Sequence, residues 1–293
     1  MSLTNLLNNS TIEIFPDSNI ESKIADANLK PRTRLAIATH DMHKTHDLVK
    51  AISEKYWDKY ILIPHIQARA IENDNELYKI LNTYWDYGIK EIYVVGGDID
   101  DKEVRGYAST YSLIFDIKKW EKSTENKFMI GIAGYPEGHY KISDEELISA
   151  LKYKQPFADY IVTQMSLNSG KVISWLKFIR EKGINLPVRV LVPAENDQDK
   201  LMKTIKKVDI KTTWRYLSHN IYQGQLFVSD FIANNLAKVP VLGRLTNYIP
   251  LYSRDKFIKD IYPYSESLNI IGFHIFSANQ IEKTNRWIDT LNK

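Results

Sequence analysis

The chain has 293 residues, 44% hydrophobic and 26% charged, with a net charge of +3 and no cysteine. A chain of this length and composition buries a core without cross-links, and the lack of cysteine excludes disulfides, thiolate metal sites, thiol nucleophiles and iron–sulfur clusters. The small, dispersed positive charge suits anionic small ligands and argues against a nucleic-acid partner.

The densest basic stretch, Lys203, Lys206, Lys207 and Lys211, reads as a solvated helix face. The opening MSLTNLLNNS lacks the basic and apolar regions of a signal peptide. No apolar run approaches the roughly 20 residues that a membrane helix needs. A cytoplasmic location with no membrane partner is therefore expected.

From the N-terminus, eight short, β-branched apolar runs read as strands. They are TIEIFP (11–16), RLAIAT (34–39), YILIPHI (60–66), EIYVVGG (91–97), FMIGIAG (128–134), DYIVTQ (159–164), PVRVLV (187–192) and IIGFHIF (270–276). Amphipathic stretches separate them. NELYKILNTYWDYGI (75–89) sets Leu77, Ile80, Leu81, Tyr84 and Trp85 at helical spacing. DEELISALKYK (144–154) follows, then GKVISWLKFIREKGI (170–184), which closes on Gly183, and finally ANQIEKTNRWIDTLN (278–292). Eight strand–helix repeats predict an α/β fold, a (β/α)8 TIM barrel with parallel strands and right-handed crossovers. A doubly wound open sheet is the alternative, weakened because no G-x-G-x-x-G follows the first strand. No linker-like stretch interrupts the chain, so residues 1–293 read as one domain. Residues 197–264 show poor periodicity, and extra short helices are expected there, between strands seven and eight.

A barrel carries its chemistry at the C-terminal ends of its strands. In strand one, Glu13 stands between isoleucines. It is either an edge residue facing solvent or a desolvated carboxyl whose pKa burial raises, which would suit a general acid. After strand two, His40, His43 and His46 fall three apart, a spacing that raises the question of a metal site. No H-E-x-x-H accompanies them, and hydrogen bonding to a ligand or helix capping fits them better. Strand three ends in His65 and strand four in Gly96-Gly97-Asp98. Paired glycines allow either a simple turn or close backbone approach by a flat or phosphorylated ligand. Strand six ends in Thr163-Gln164, whose amide suits the donors and acceptors of a heterocycle. Together these groups describe a site for a large, polar, planar ligand.

The ordered set resembles the methylenetetrahydrofolate reductases. That family shows Ser-Phe-Glu-Phe-Phe-Pro-Pro in its first strand, here Thr11-Ile12-Glu13-Ile14-Phe15-Pro16-Asp17. Its Arg-Thr-His is Lys44-Thr45-His46, its Pro-His is Pro64-His65, and its Gly-Asp is Gly97-Asp98. Its Ala-x-Tyr-Pro-Glu-x-His is Ala133-Gly134-Tyr135-Pro136-Glu137-Gly138-His139, with Lys154 and Thr163-Gln164 beyond. The resemblance covers roughly residues 10–190 and resumes more loosely in the last 25. It implies FAD over the barrel mouth, held by Thr39, His65, Gly97, Asp98, Tyr135, His139 and Lys154. It implies a reduced folate as substrate, with Glu13 opening the five-membered ring of methylenetetrahydrofolate and Asp98 and Gln164 contacting the pterin. It further implies NADH or NADPH as reductant, and leaves room for a homo-oligomer. Three positions depart from the family: Gly96 and Gln280 stand where it carries arginines, and Asp17 replaces its second proline. Glu137 is expected to brace a loop or a neighbouring strand end. The alternatives are a folate barrel handling methyl or methylene groups without net reduction, a metal-dependent hydrolase using His40, His43, His65 and Asp98, and a non-catalytic homologue.

Overall fold

In the computed structural model, residues 1–38, 41–97, 106–139, 142–195 and 252–292 are described. Eight parallel strands close into a barrel in sequence order, the last pairing with the first. They are β1 (Thr11–Ile14), β2 (Arg34–Ile37), β3 (Ile61–Gln67), β4 (Glu91–Val95), β5 (Met129–Gly134), β6 (Tyr160–Thr163), β7 (Val188–Pro193) and β8 (Ile270–Phe276). The helices are α1 (Leu3–Asn8), α2 (Ile20–Asp26), α3 (Met42–Tyr56), α4 (Asp74–Asp86), α5 (Thr110–Thr124), α6 (Asp144–Lys154), α7 (Ser169–Glu181), α8 (Arg254–Ile261) and α9 (Ile281–Leu291). This is the expected (β/α)8 barrel. Of the aperiodic segment 197–264, residues 252–264 are described, and they carry α8 and a short 3-10 turn, Tyr262–Tyr264.

Local chemistry sets the helix ends. Before α6, the Ser143 hydroxyl accepts from the Glu146 amide while the Glu146 carboxylate reaches back to the Ser143 amide. Asp144, Glu145 and Glu146 then occupy the first turn, and Lys152 and Lys154 the last, matching the helix dipole at both ends. After α7 the chain turns at Gly183, whose φ of +80° strains any residue with a Cβ. The first strand stops at Ile14, two residues sooner than its apolar pattern suggests. The Asn279 side chain takes over the backbone of Phe15, accepting from its N–H and donating to its carbonyl, each at 2.8 Å.

The core has two parts. One fills the space between sheet and helices and is built largely of isoleucine, leucine and valine. The other, inside the barrel, packs Ala36, Ile63, Tyr93, Tyr160 and Val162. A Cβ on Gly131 would collide with the Tyr160 ring, so the glycine makes room for that tyrosine. Charge fills the base of the barrel. Glu91 pairs with Arg34, Arg34 donates to Thr11 Oγ1 at 3.3 Å, and Arg189 donates to the carbonyl of Asn9, just past α1. Burial pulls the Arg189 guanidinium down to about 10, with Arg34 adding like-charge repulsion.

Glu91 is thus the carboxylate between the buried Arg189 and the half-buried Arg34. Glu91→Gln is expected to lower stability by about 3–5 kcal/mol, read as a fall in the urea midpoint at unchanged m-value. A change within about 0.5 kcal/mol, the size usual for surface substitutions, would contradict the role assigned here.

Candidate active site

Closure of the barrel brings strand ends from opposite ends of the chain together. On β1, Thr11 and Glu13 share a face, and parallel pairing sets Glu13 beside Phe276 of β8. The Glu13 carboxylate lies 2.7 Å from His274 Nε2, and both residues are buried. With the carboxyl ionised, the imidazole N–H donates. Ser277 Oγ, just beyond β8, donates to the Glu13 carbonyl at 2.5 Å, so backbone and side chain of the glutamate are both held. His65, from β3, completes the group: one ligand atom from each of Glu13, His65 and His274 lies within 4.8 Å of the others. Tyr93 of β4 packs edge-on against His65, ring centroids 4.7 Å apart, and lies 6.2 Å from His274.

The electrostatics correct one expectation. Burial acts to raise the Glu13 carboxyl, but the hydrogen bond from His274 and the influence of the two imidazoles outweigh it. The group is held below the ordinary glutamate range. Glu13 is therefore not a standing acid at neutral pH but the acceptor of the His274 hydrogen bond. Burial pushes His65 down to about 4, so that ring is neutral at pH 7.

The remaining predicted residues fall in three places. Tyr135 and His139 pack edge to face with centroids 5.3 Å apart, just after β5. Gln164 follows β6, and its side-chain Oε1 is buried without a hydrogen-bond partner, as is His65 Nε2. Gly97, with φ of +86°, packs over Gln67 at the β4 exit. Lys154 sits in the helical layer between α6 and α5, buried, its amine 3.4 Å from Thr110 Oγ1 and its pKa lowered to about 8 by burial. Thr39, His40 and Asp98 lie outside the described residues.

Glu137 braces the neighbouring β6–α7 connection: it accepts from the Ser166 hydroxyl and pairs with Lys171 at 3.1 Å. The histidine run does not assemble a metal site among the described residues. His43 is exposed on α3, and His46 packs against Tyr84 in the helical layer, centroids 5.2 Å apart. Sequence reasoning missed His274. Its signal was a single imidazole inside the apolar strand IIGFHIF, with two-residue periodicity aiming it into the barrel.

A family model described as methylenetetrahydrofolate reductase matches residues 33–211. The 5,10-methylenetetrahydrofolate reductase of Buchnera aphidicola subsp. Acyrthosiphon pisum is 25% identical over 256 residues, covering 80% of this chain and 83% of that protein. Methylenetetrahydrofolate reductase 1 of Schizosaccharomyces pombe is 35% identical over 105 residues; the match covers 34% of this chain and only 17% of that protein. Among solved structures, a plant class V chitinase mutant from Cycas revoluta in complex with (GlcNAc)3 superposes with a TM-score of 0.52 at 11% identity, covering 97% of this chain and 99% of that one. At that identity the likeness shows the fold alone.

His65 generates a prediction for the ligand-free protein. Its folded pKa of about 4 lies below the ordinary 6.5, so between these values the unfolded chain binds a proton that the native state refuses. Stability should therefore be complete above pH 6.5 and fall as pH drops toward 4. At about 1.4 kcal/mol per pH unit, the loss is roughly 3 kcal/mol. The depressed Glu13 carboxyl adds a further loss only below the ordinary glutamate range. Urea unfolding of wild type and His65→Gln across this window checks it: the variant should lose that slope, and parallel curves would contradict it.

Proposed function

The chain belongs to the methylenetetrahydrofolate reductase family, and we propose that it reduces 5,10-methylenetetrahydrofolate to 5-methyltetrahydrofolate using FAD and NADH or NADPH. The observation that carries this reading is the buried Glu13 carboxylate, bonded to His274 at 2.7 Å at the C-terminal end of a barrel of this family.

The residues fit a flavin. His65 Nε2 and Gln164 Oε1 are buried polar atoms without protein partners. Each costs about 1–3 kcal/mol when left unpaired in an apolar setting, an expense that a polar heterocycle over the mouth would remove. Tyr135 and His139 offer an aromatic edge beside that position. The buried Lys154 amine suits the anionic part of the cofactor. Asp98 and Thr39 would add to this set through the motif. Bound there, the flavin would supply hydride to the one-carbon unit, having taken it from the nicotinamide.

The chain's own part is the proton. Opening the five-membered ring requires protonation of the departing ring nitrogen, which leaves the one-carbon unit as an electrophilic iminium on the folate. Glu13 gives that proton, and His274 replaces it across their hydrogen bond. Gln164 orients the pterin, and the apolar barrel interior below the pair excludes water from it. The hydrogen bond from His274 holds the carboxyl in place for that transfer.

Glu13→Gln separates proton handling from redox chemistry. The variant should still bind flavin and be bleached by the nicotinamide, while folate-dependent return of colour slows by at least about 100-fold, the lower end of the usual contribution of a general acid. Normal turnover of methylenetetrahydrofolate by Glu13→Gln would refute the assignment.

A further inference from the structure

The same three side chains that gather at the mouth make a donor set for a metal ion. Glu13 of β1, His65 of β3 and His274 of β8 are all buried, and one ligand atom from each lies within 4.8 Å of the others. Two imidazoles and one carboxylate are the protein ligands of many catalytic zinc sites and of the facial sites that hold other first-row divalent ions. Two further observations point to a ligand. His65 Nε2 has no hydrogen-bond partner though buried, and Tyr93 packs edge-on against the His65 ring at 4.7 Å, fixing its orientation.

We propose that Glu13, His65 and His274 form a binding site for a borderline divalent cation of the Zn2+ class, built from three strands of the barrel and open toward its mouth. Metal–ligand bonds near 2.0–2.2 Å keep neighbouring donors roughly 3–3.5 Å apart. The 2.7 Å contact between Glu13 and His274 must therefore widen slightly as the ion replaces the proton they share. His274 then coordinates through Nε2 as its Nδ1–H tautomer, the proton moving between the ring nitrogens through solvent, and the carboxylate becomes a ligand. Occupancy would then remove Glu13 from proton transfer, making the cation an inhibitor of the folate step; this consequence alone rests on the function proposed above.

The test is a titration of the full-length, chelator-treated protein with Co2+, followed by visible d–d absorption to the red of any flavin bands, with Zn2+ as competitor. One equivalent of Co2+ should give an intense low-symmetry spectrum that Zn2+ abolishes. Glu13→Gln, His65→Gln and His274→Gln should each weaken binding at least about 10-fold, since even outer-shell partners of a metal ligand contribute that much. His43→Ala, on the exposed face of α3, should leave it unchanged. Far-ultraviolet circular dichroism and the melting temperature identify a variant that has failed to fold, and the remaining variants then decide. Absence of a d–d spectrum, or a spectrum that survives all three substitutions, overturns the site. Metal binding is read without any reductase assay, so the two readings fail separately: a colourless protein that binds Co2+ at the triad keeps the site, and an active flavoprotein that does not bind Co2+ keeps only the function.

Discussion

The hydrogen bond between Glu13 and His274 depends on barrel closure more than on either residue alone. The two are 261 positions apart, and parallel pairing of β1 with β8 brings them within 2.7 Å. A second set of contacts secures the same seam. Ser277 bonds the Glu13 carbonyl, and Asn279 spans the Phe15 N–H, the Phe15 carbonyl and the Asp17 carboxylate, the last at 2.8 Å. Asn279 adopts φ of +58°, a left-handed conformation that asparagine tolerates better than most residues. Asp17 also pairs with Lys23 of α2 at 2.6 Å. The residue that departs from the family's second proline therefore has a local use, tying the exit of β1 to the exit of β8.

The barrel interior treats polarity differently at its two ends. At the base, Arg34 pairs with Glu91, Arg189 donates to the carbonyl and side chain of Asn9, and α1 lies against that end. At the mouth, imidazole and amide atoms remain buried without protein partners. An apolar layer of Ala36, Ile63, Tyr93, Tyr160 and Val162 lies between. Ion pairs and backbone contacts occupy the base, whereas the unpartnered imidazole and amide at the mouth are of the kind a ligand satisfies.

Much of this was legible in the sequence because short apolar runs and their spacing are local signals. All eight strands fall where the runs lie, and α6 matches its predicted residues, since a capping box and charged termini define it within the segment itself. Tyr135-Pro136-Glu137-Gly138-His139 carried the family resemblance, and Glu137 emerged as a brace to Ser166 and Lys171. What stayed hidden was long-range. The direction of the Glu13 shift depends on His274, which no local pattern links to it. The regular spacing of His40, His43 and His46 raised the question of a metal site, which the sequence itself disfavoured, whereas the metal-competent group among the described residues combines three distant strands. Helical periodicity reports a shared face, and it carries no information about what closes over that face.

The most direct test of the central claim is the visible spectrum of the full-length protein, followed anaerobically through nicotinamide and then methylenetetrahydrofolate. The account predicts oxidised-flavin bands that NADH or NADPH bleaches and that methylenetetrahydrofolate restores, with 5-methyltetrahydrofolate formed in equal amount. A protein that binds no flavin, or one whose reduced flavin is not reoxidised by the folate, would contradict it.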